Sequence, residues 1–219
     1  MQWIEAKWIR EQLAKLSDAQ LFPLVDLGSS TGTFRTAVQP YIETEVFAPL
    51  RARSGPIWHV DCKAGEGIDL TGDLLDAEFR ERLRALGPRT ITAFNLIMHV
   101  LDPHAFARSL VELLPRDGWL VLTGPERLPR TLDPVDNGFR ATPEKAAELF
   151  PELEVIASAT LDAGNWRQWH IAERGRSLSR TLLRLGTPFY RPSEWWNVVH
   201  QAPYLVRHLR TFGLVLHRT

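Results

Sequence analysis

Two glycines follow a short apolar run near the start of the chain, in a segment whose residue types suit ligand binding. Residues 24–34 read Leu-Val-Asp-Leu-Gly-Ser-Ser-Thr-Gly-Thr-Phe, with glycines at Gly28 and Gly32. Glycine permits positive φ angles and lets a ligand approach the backbone closely. The segment lacks the lysine of a phosphate-binding loop, and Ser30 and Thr33 break the dinucleotide pattern Gly-x-Gly-x-x-Gly. It therefore predicts a ligand-binding turn of another kind, between a buried strand and a helix.

Polar side chains also stand at or near the ends of four predicted strands. They are Asp26, Asp61, Asp73 and Asn95. Strands alternate with helices along the chain, which predicts a doubly wound α/β fold with a parallel sheet. In such sheets ligands bind beyond the carboxyl ends of the strands. We therefore expect the four side chains to face one crevice.

Hydrophobic periodicity and turn residues supply the elements that must position these side chains. An opening helix is predicted at residues 1–20. Further helices are predicted at 34–42, 76–86 and 102–114 and from Thr142 onward, and strands at 22–27, 57–61, 67–73, 90–97, 119–123, 153–161 and 211–217. The resulting division is a single domain with a core at 21–163, a helical insertion at 164–210 and a final strand at 211–219.

Composition narrows the class of protein. The chain has 219 residues, 44% of them hydrophobic, which is enough for one full core. Its formal net charge is zero, so no nucleic-acid partner is indicated. Cys62 is the single cysteine and the N-terminus lacks the apolar run of a signal peptide. Both features favour a reducing, cytoplasmic location.

The pattern as a whole resembles class I S-adenosylmethionine-dependent methyltransferases, in particular the type 11-like group. Residues 26–32 resemble the first motif, Asp/Glu-x-Gly-x-Gly-x-Gly, with Ser30 in place of the middle glycine. Residues 93–103 and 113–123 resemble the motifs at the fourth and fifth strands. Residues 133–143 resemble a bacterial subset linked to glycan or natural-product biosynthesis. The resemblance covers about residues 20–160 and the last strand, and implies a Rossmann-like, mostly parallel seven-stranded sheet with an antiparallel last strand.

The resemblance implies S-adenosyl-L-methionine as cofactor and S-adenosyl-L-homocysteine as product. Gly28, Ser30 and Gly32 would line the methionine part, and Asp26 would orient that loop. Asn95 would lie near the methionyl end. Reasoning from the residues alone leaves simpler roles open, since the glycines could serve only a tight turn and Asn95 could satisfy backbone groups.

The nucleoside half of the cofactor would be held farther along the chain. Asp61 would accept both ribose hydroxyls, a task suited to one carboxylate with two oxygens. Asp73 would accept a hydrogen bond from the adenine amine, and the backbone of Leu74 would supply a further contact. An insertion near residues 47–50 lengthens the spacing between the glycine loop and Asp61. Asp61 could instead be a solvated strand end, and Asp73 a helix cap or turn residue.

His99 is the predicted general base for a hydroxyl acceptor, because it follows the fourth strand and imidazole titrates near neutrality. It could instead position the substrate or cap the next helix. Asp102 could orient it or could simply begin that helix. The spacing of His99, Asp102 and His104 matches no strong metal-ligand pattern, so no metal is predicted.

Acceptor contacts are predicted at Arg140, Trp166 and Trp169. Arg140 could pair with an anionic acceptor or form a structural ion pair. The insertion carries the two tryptophans and is rich in arginine, which suits a lid or acceptor platform, a peripheral membrane surface or a self-association surface. The tryptophans could also simply pack the insertion onto the sheet.

These observations predict methyl transfer to a small-molecule acceptor, at oxygen, on a glycan or natural-product intermediate. One alternative is a non-catalytic binding protein with the same fold, suggested by Ser30 and by Met98, which stands where this group often has Glu. Another is a nicotinamide-dependent oxidoreductase, against which the broken glycine pattern argues.

Overall fold

The computed structural model describes residues 1–131, 135–165 and 202–219. Within them, seven strands form one sheet in the order β3-β2-β1-β4-β5-β7-β6. The strands are β1 Leu24–Leu27, β2 Ile57–Asp61, β3 Leu70–Thr71, β4 Thr90–Phe94, β5 Gly118–Arg127, β6 Glu154–Asn165 and β7 His208–Arg218. Strands β1 to β5 are parallel, and β7 runs antiparallel to both of its neighbours. The predicted fold class is confirmed.

Helices cover both faces of the sheet. They are α1 Trp3–Leu13, α2 Asp18–Leu21, α3 Ala48–Arg51, α4 Ala77–Arg84, α5 Pro103–Leu113 and α6 Pro143–Ala147. Two π-helical segments, Phe34–Val38 and Ile42–Phe47, precede α3. Short 3₁₀ turns lie at Ile97–His99 and Ala202–Leu205. Of the predicted insertion at 164–210, only residues 164–165 and 202–210 are described.

Several predicted boundaries differ from the structure. The opening helix ends at Leu13, because a capping box between Ser17 and Gln20 starts the separate helix α2. The predicted third strand shrinks to Leu70–Thr71. The helix predicted at 34–42 is π-helical and ends at Val38, and a second helical stretch over 42–51 fills the insertion. The loop before β3 takes a conformation that depends on a bond to a distant part of the chain, from Arg35 to Gly67.

The core has two layers, one on each face of the sheet. On one face, α4 and α5 pack against the sheet through residues such as Phe79, Phe106 and Leu110. On the other face, α1 and the 42–51 segment bury Ile9 and Phe47. Because alternate residues of a strand point to opposite faces, β1 contributes to both layers, and all four of its residues are buried.

Asp26 is a buried polar group within this core. It is 2% exposed, its Oδ1 accepts the Thr92 hydroxyl at 2.9 Å, and its Oδ2 lies 3.0 Å from His59 Nδ1. The strand register sets His59 and Thr92 directly opposite Asp26 on β2 and β4. The ring of Phe47 packs edge-on against His59, with centroids 4.6 Å apart. Asp26 therefore ties β1 to both neighbouring strands.

Among the described residues, none of the helices is both long and apolar enough to cross a membrane.

We expect Asp26→Ala to lower the free energy of unfolding by about 3 kcal/mol, because it leaves two buried donors without an acceptor. Thr92→Val removes only one donor of the same network and should cost about 1 kcal/mol. Urea unfolding followed by circular dichroism measures both. Equal losses in the two variants would contradict the bridging role of Asp26.

Candidate functional site

The glycine loop leaves the sheet directly after β1. Gly28 has φ +69°, and its N–H donates to the Val60 carbonyl at 2.8 Å. A Cβ on this residue would lie 2.8 Å from the side chain of Leu96, just beyond β4. The left-handed φ angle favours glycine here, and a Cβ would displace the Leu96 side chain. The turn thus brings the ends of β1, β2 and β4 together.

Ser30 joins the same loop to Asp61 at the end of β2. Its N–H donates to Asp61 Oδ2 at 2.9 Å, and the N–H of Lys63 donates to the other carboxylate oxygen at 3.0 Å. A carboxylate has about four acceptor positions, so these two bonds leave Asp61 able to accept more. Ser30 has φ +55°, the left-handed region that glycine favours. Serine can stand in place of glycine at this position because its backbone N–H makes the contact with Asp61.

Gly32 lies against the loop of residues 62–69. Its N–H donates to the Glu66 carbonyl at 2.7 Å, and the Thr33 hydroxyl donates to Glu66 Oε2 at 2.8 Å. A Cβ on Gly32 would meet the Glu66 carbonyl oxygen at 3.5 Å, an ordinary contact distance. Packing within the protein therefore does not by itself require glycine at this position.

Arg35 organises both loops, and sequence reasoning missed it. Its guanidinium donates to the carbonyls of Ser29 at 3.1 Å, Ser30 at 2.6 Å and Gly67 at 2.7 Å, and the residue is only 5% exposed. Burial lowers the pKa of this guanidinium, an effect partly offset by the nearby carboxylates of Asp26, Asp69 and Asp61. The position of Arg35 directly after the apolar Phe34 was the one sequence signal for this role. That position is equally compatible with a solvent-exposed face of a helix.

Asp73 and Leu74 lie in the turn that leads into α4. Asp73 is exposed, and its Oδ1 accepts the N–H of Leu75 at 2.9 Å. The carbonyl of Leu74 accepts a bond from Arg80 at 3.0 Å. Asp73 thus has the turn role that the sequence left open, and its contact with adenine stays a prediction.

Asn95 occupies the end of β4 with φ +53°, and its N–H donates to the Thr123 carbonyl on β5. Its side-chain amide donates to Glu5 Oε1 at 2.6 Å. Glu5 belongs to α1, 90 positions away in the sequence. The helical spacing of apolar residues in α1 gave no reason to expect that Glu5 of this helix would reach the ends of β4 and β5.

His99 ends the 3₁₀ turn that follows β4. Its Nδ1 lies 2.8 Å from the Val135 carbonyl oxygen. Because a carbonyl only accepts, Nδ1 is the donor of this bond. Asp102 instead caps α5 by accepting the N–H groups of His104 and Ala105. Those backbone bonds lower the pKa of Asp102.

Asn137 fastens the segment after β5 to the His99 turn, and it too was missed. Its Nδ2 donates to the carbonyls of Ile97 and Val100, each at 2.8 Å, and its N–H donates to Met98 at 3.0 Å. These bonds hold Val135 where its carbonyl meets His99. Met98 itself is buried.

Arg140 is fully engaged within its own segment. It makes five hydrogen bonds, to the carbonyls of Leu128, Pro129 and Phe139 and to both oxygens of Asp136. Burial by itself raises the pKa of Asp136, but bonds from Arg140 and from two backbone N–H groups outweigh it and hold that pKa far below its usual range. A guanidinium has five N–H groups, and these five bonds engage all of them. Of the two roles that the sequence left open for Arg140, the structure shows the structural ion pair.

The two tryptophans predicted to contact the acceptor, Trp166 and Trp169, lie outside the described residues. Within the described part of the chain, no group of three or more His, Cys, Asp or Glu side chains could hold a metal ion.

We expect Ser30→Gly to raise the free energy of unfolding by about 0.5–1 kcal/mol, because it relieves a left-handed backbone while the N–H bond to Asp61 remains. Ser29→Gly is the matched control, since Ser29 has no positive φ, and it should lower stability by about 0.5–1 kcal/mol. Chemical denaturation compares the two. A loss of stability in both variants would contradict strain at Ser30.

Comparison with known proteins identifies the fold. No family model matches the sequence, and no curated protein does so either. A S-adenosylmethionine-dependent methyltransferase from Anabaena variabilis matches with a TM-score of 0.53 at 14% identity, over 95% of this chain and 82% of its own. Coclaurine N-methyltransferase, solved with N-methylheliamine and S-adenosylhomocysteine, gives 0.51 at 13% identity, over 97% and 71%.

The fold is also similar to that of the [4+2]-cyclase SpnF, with a TM-score of 0.51 at 13% identity over 97% of this chain and 80% of that one. At such low identity the similarity is one of fold. The chain has the fold of class I S-adenosylmethionine-dependent methyltransferases.

Proposed function

We propose that this protein binds S-adenosylmethionine and transfers its methyl group to the hydroxyl of a small molecule, a glycan or natural-product intermediate. The observation that carries the proposal is the bond from the Ser30 N–H to the Asp61 carboxylate. It joins the glycine loop after β1 to an acid at the end of β2, beside the point where the strand order reverses. A nucleoside with a diol and an amino-acid tail suits this arrangement.

The residues present fit the two halves of that cofactor. Asp61 keeps acceptor positions for a ribose diol beyond its two backbone bonds. Gly32 belongs to the glycine loop, where the lack of a side chain suits close approach of a ligand to the backbone. Arg35 fixes the carbonyls of Ser29 and Ser30, so the shape of the loop is set before binding.

The cofactor supplies an activated methyl group on a positively charged sulfur. The protein must align the acceptor oxygen with that methyl group and remove the oxygen's proton. His99 suits the second task, because it is an imidazole in the turn after β4 whose ring is oriented by the bond between Nδ1 and the Val135 carbonyl. Asn137 keeps the two segments in register.

Apolar side chains near His99 favour an acceptor with an apolar part. Leu101 is 85% exposed and Val135 is 36% exposed. Arg140, with all its donors engaged, would have to give up internal bonds before it could bind an anionic group. The tryptophan-rich insertion remains our proposed acceptor platform or surface for a membrane or a second copy.

A second candidate function is binding without methyl transfer, or another reaction on the same fold. This candidate is supported by the similarity in fold to a protein named as a [4+2]-cyclase. A nicotinamide-dependent oxidoreductase is the third candidate. The three differ in the ligand bound and in whether S-adenosylhomocysteine forms when acceptors are supplied.

We expect calorimetric titration to detect micromolar binding of S-adenosylmethionine and S-adenosylhomocysteine and no binding of NAD. Asp61→Ala should weaken both by at least about tenfold, because it removes the diol acceptor and releases the glycine loop. Asp76→Ala is the control, since Asp76 only caps α4. Absence of binding to either sulfur nucleoside would overturn the proposed function.

We expect His99→Gln to lower kcat by about 10²–10³-fold on an acceptor found by screening alcohols for release of S-adenosylhomocysteine. Binding of S-adenosylmethionine should change little, because His99 is assigned to the acceptor. His104→Gln, an exposed histidine on the first turn of α5, is the control. Equal turnover in wild type and His99→Gln would remove His99 from the role of base.

A further inference from the structure

Strand β6 forms one edge of the sheet and is long for an edge strand. It covers Glu154–Asn165, whereas β3, the strand at the other edge, covers only Leu70–Thr71. Among the described residues β6 pairs with β7 alone, so the backbone N–H and C=O groups on the outer side of residues 157–162 have no partner there. An open edge of this kind is a template for pairing with another strand.

The middle of β6 lacks the features that usually protect an exposed edge. Residues 155–161 read Val-Ile-Ala-Ser-Ala-Thr-Leu, with no charged residue, proline or glycine. Edge strands of monomeric proteins commonly carry lysine or proline, or are interrupted by bulges. The register between β6 and β7 does shift at either end of residues 157–162, but within that span the pairing is regular. An uninterrupted edge therefore remains between the two shifts.

The side chains along this edge are accessible and suit strand pairing. Ser158 and Thr160 are exposed, and Val155 and Ile156 just before them are 46% and 47% exposed. Valine, isoleucine and threonine are β-branched residues, which favour strands. The edge therefore offers both free backbone groups and a compatible sequence to a further strand.

The sequence of the edge is complementary to itself. In an antiparallel pair centred on Ala159, that residue faces its own copy, Ser158 faces Thr160, and Ala157 faces Leu161. Residues that face each other share one side of the sheet, so small or apolar groups meet apolar groups and hydroxyl meets hydroxyl. The Thr160 hydroxyl donates within its own chain, so its oxygen remains an acceptor for the Ser158 hydroxyl of a second copy.

The charges that flank the edge favour this register over a neighbouring one. A pair centred on Ser158 would set Glu154 opposite Asp162 of the second copy, and like charges directly opposite each other destabilise a sheet. Centring the pair on Ala159 sets Asp162 opposite Ile156 instead. Asp162 then keeps its ion pairs with residues of β7 in its own chain.

We infer that β6 is a self-association surface, at which two copies of this chain pair their β6 strands antiparallel about a two-fold axis at Ala159. The pairing joins the two sheets into one and gives partners to the outer N–H and C=O groups of residues 157–162. A two-fold dimer uses the same patch on both subunits, and a self-complementary strand is such a patch. The inference does not depend on the proposed cofactor or reaction.

The first test is sedimentation velocity over a range of protein concentrations. Wild type should form a dimer of twice the chain mass that dissociates on dilution. Ala159→Lys should raise the dissociation constant at least about tenfold, because it sets two like charges opposite each other at the axis. Thr71→Lys is the matched control, since it adds lysine at an exposed position of the other edge strand, and it should associate like wild type.

Two results of this experiment would overturn the inference. A dimer that Ala159→Lys leaves unchanged would have its interface elsewhere. A wild type that is monomeric at every concentration would favour a segment of the same chain, outside the described residues, as the cover of β6.

Disulfide cross-linking tests the register without an added charge. Cys62 is exposed, so the experiment uses a Cys62→Ser background. Ala159→Cys should form an intermolecular disulfide on mild oxidation, because the two thiols face each other at the axis. Ser158→Cys is the matched control, since its two copies lie diagonally across the pair and should cross-link at least about tenfold more slowly. Equal rates in the two variants, or no cross-link in either, would overturn the inference.

Discussion

The buried guanidinium of Arg35 holds together the two loops from which the candidate site is built. It bonds carbonyls at Ser29 and Ser30 after β1 and at Gly67 beyond β2. Three carboxylates nearby, those of Asp26, Asp69 and Asp61, partly offset the cost of burying this charge. The left-handed Ser30 and its bond to Asp61 depend on a loop shape that Arg35 maintains.

A second buried ionisable side chain, that of Glu5, joins the N-terminal helix to the sheet. Glu5 lies at the ends of β4 and β5, while Arg35 lies beside the loops that follow β1 and β2. The polar residues of this fold therefore do two kinds of work. Asp26, Arg140 and Glu5 are satisfied by the protein itself, whereas Asp61 retains acceptor positions that suit a ligand.

Much of the fold was predictable because its signals are local. The alternation of strands and helices predicted the doubly wound sheet, and Asp76, Asp102 and Thr142 cap helices at the positions where helices were predicted to begin. The failures cluster in short segments. The strand predicted at 67–73 is two residues long, because bonds to Gly32 and Arg35 shape the loop before it.

The sequence by itself determined the glycine loop, the acids and amide at the strand ends and the order of the elements, since backbone preferences and hydrophobic periodicity act between near neighbours. Only the tertiary structure decided which side chains are engaged. It assigned Arg140 to Asp136 and Asp73 to a turn, and it brought Arg35 and Glu5 to partners 32 and 90 positions away. The pairings of Arg35 and Glu5 join distant parts of the chain, so they depend on how the whole fold packs, and no local pattern encodes them.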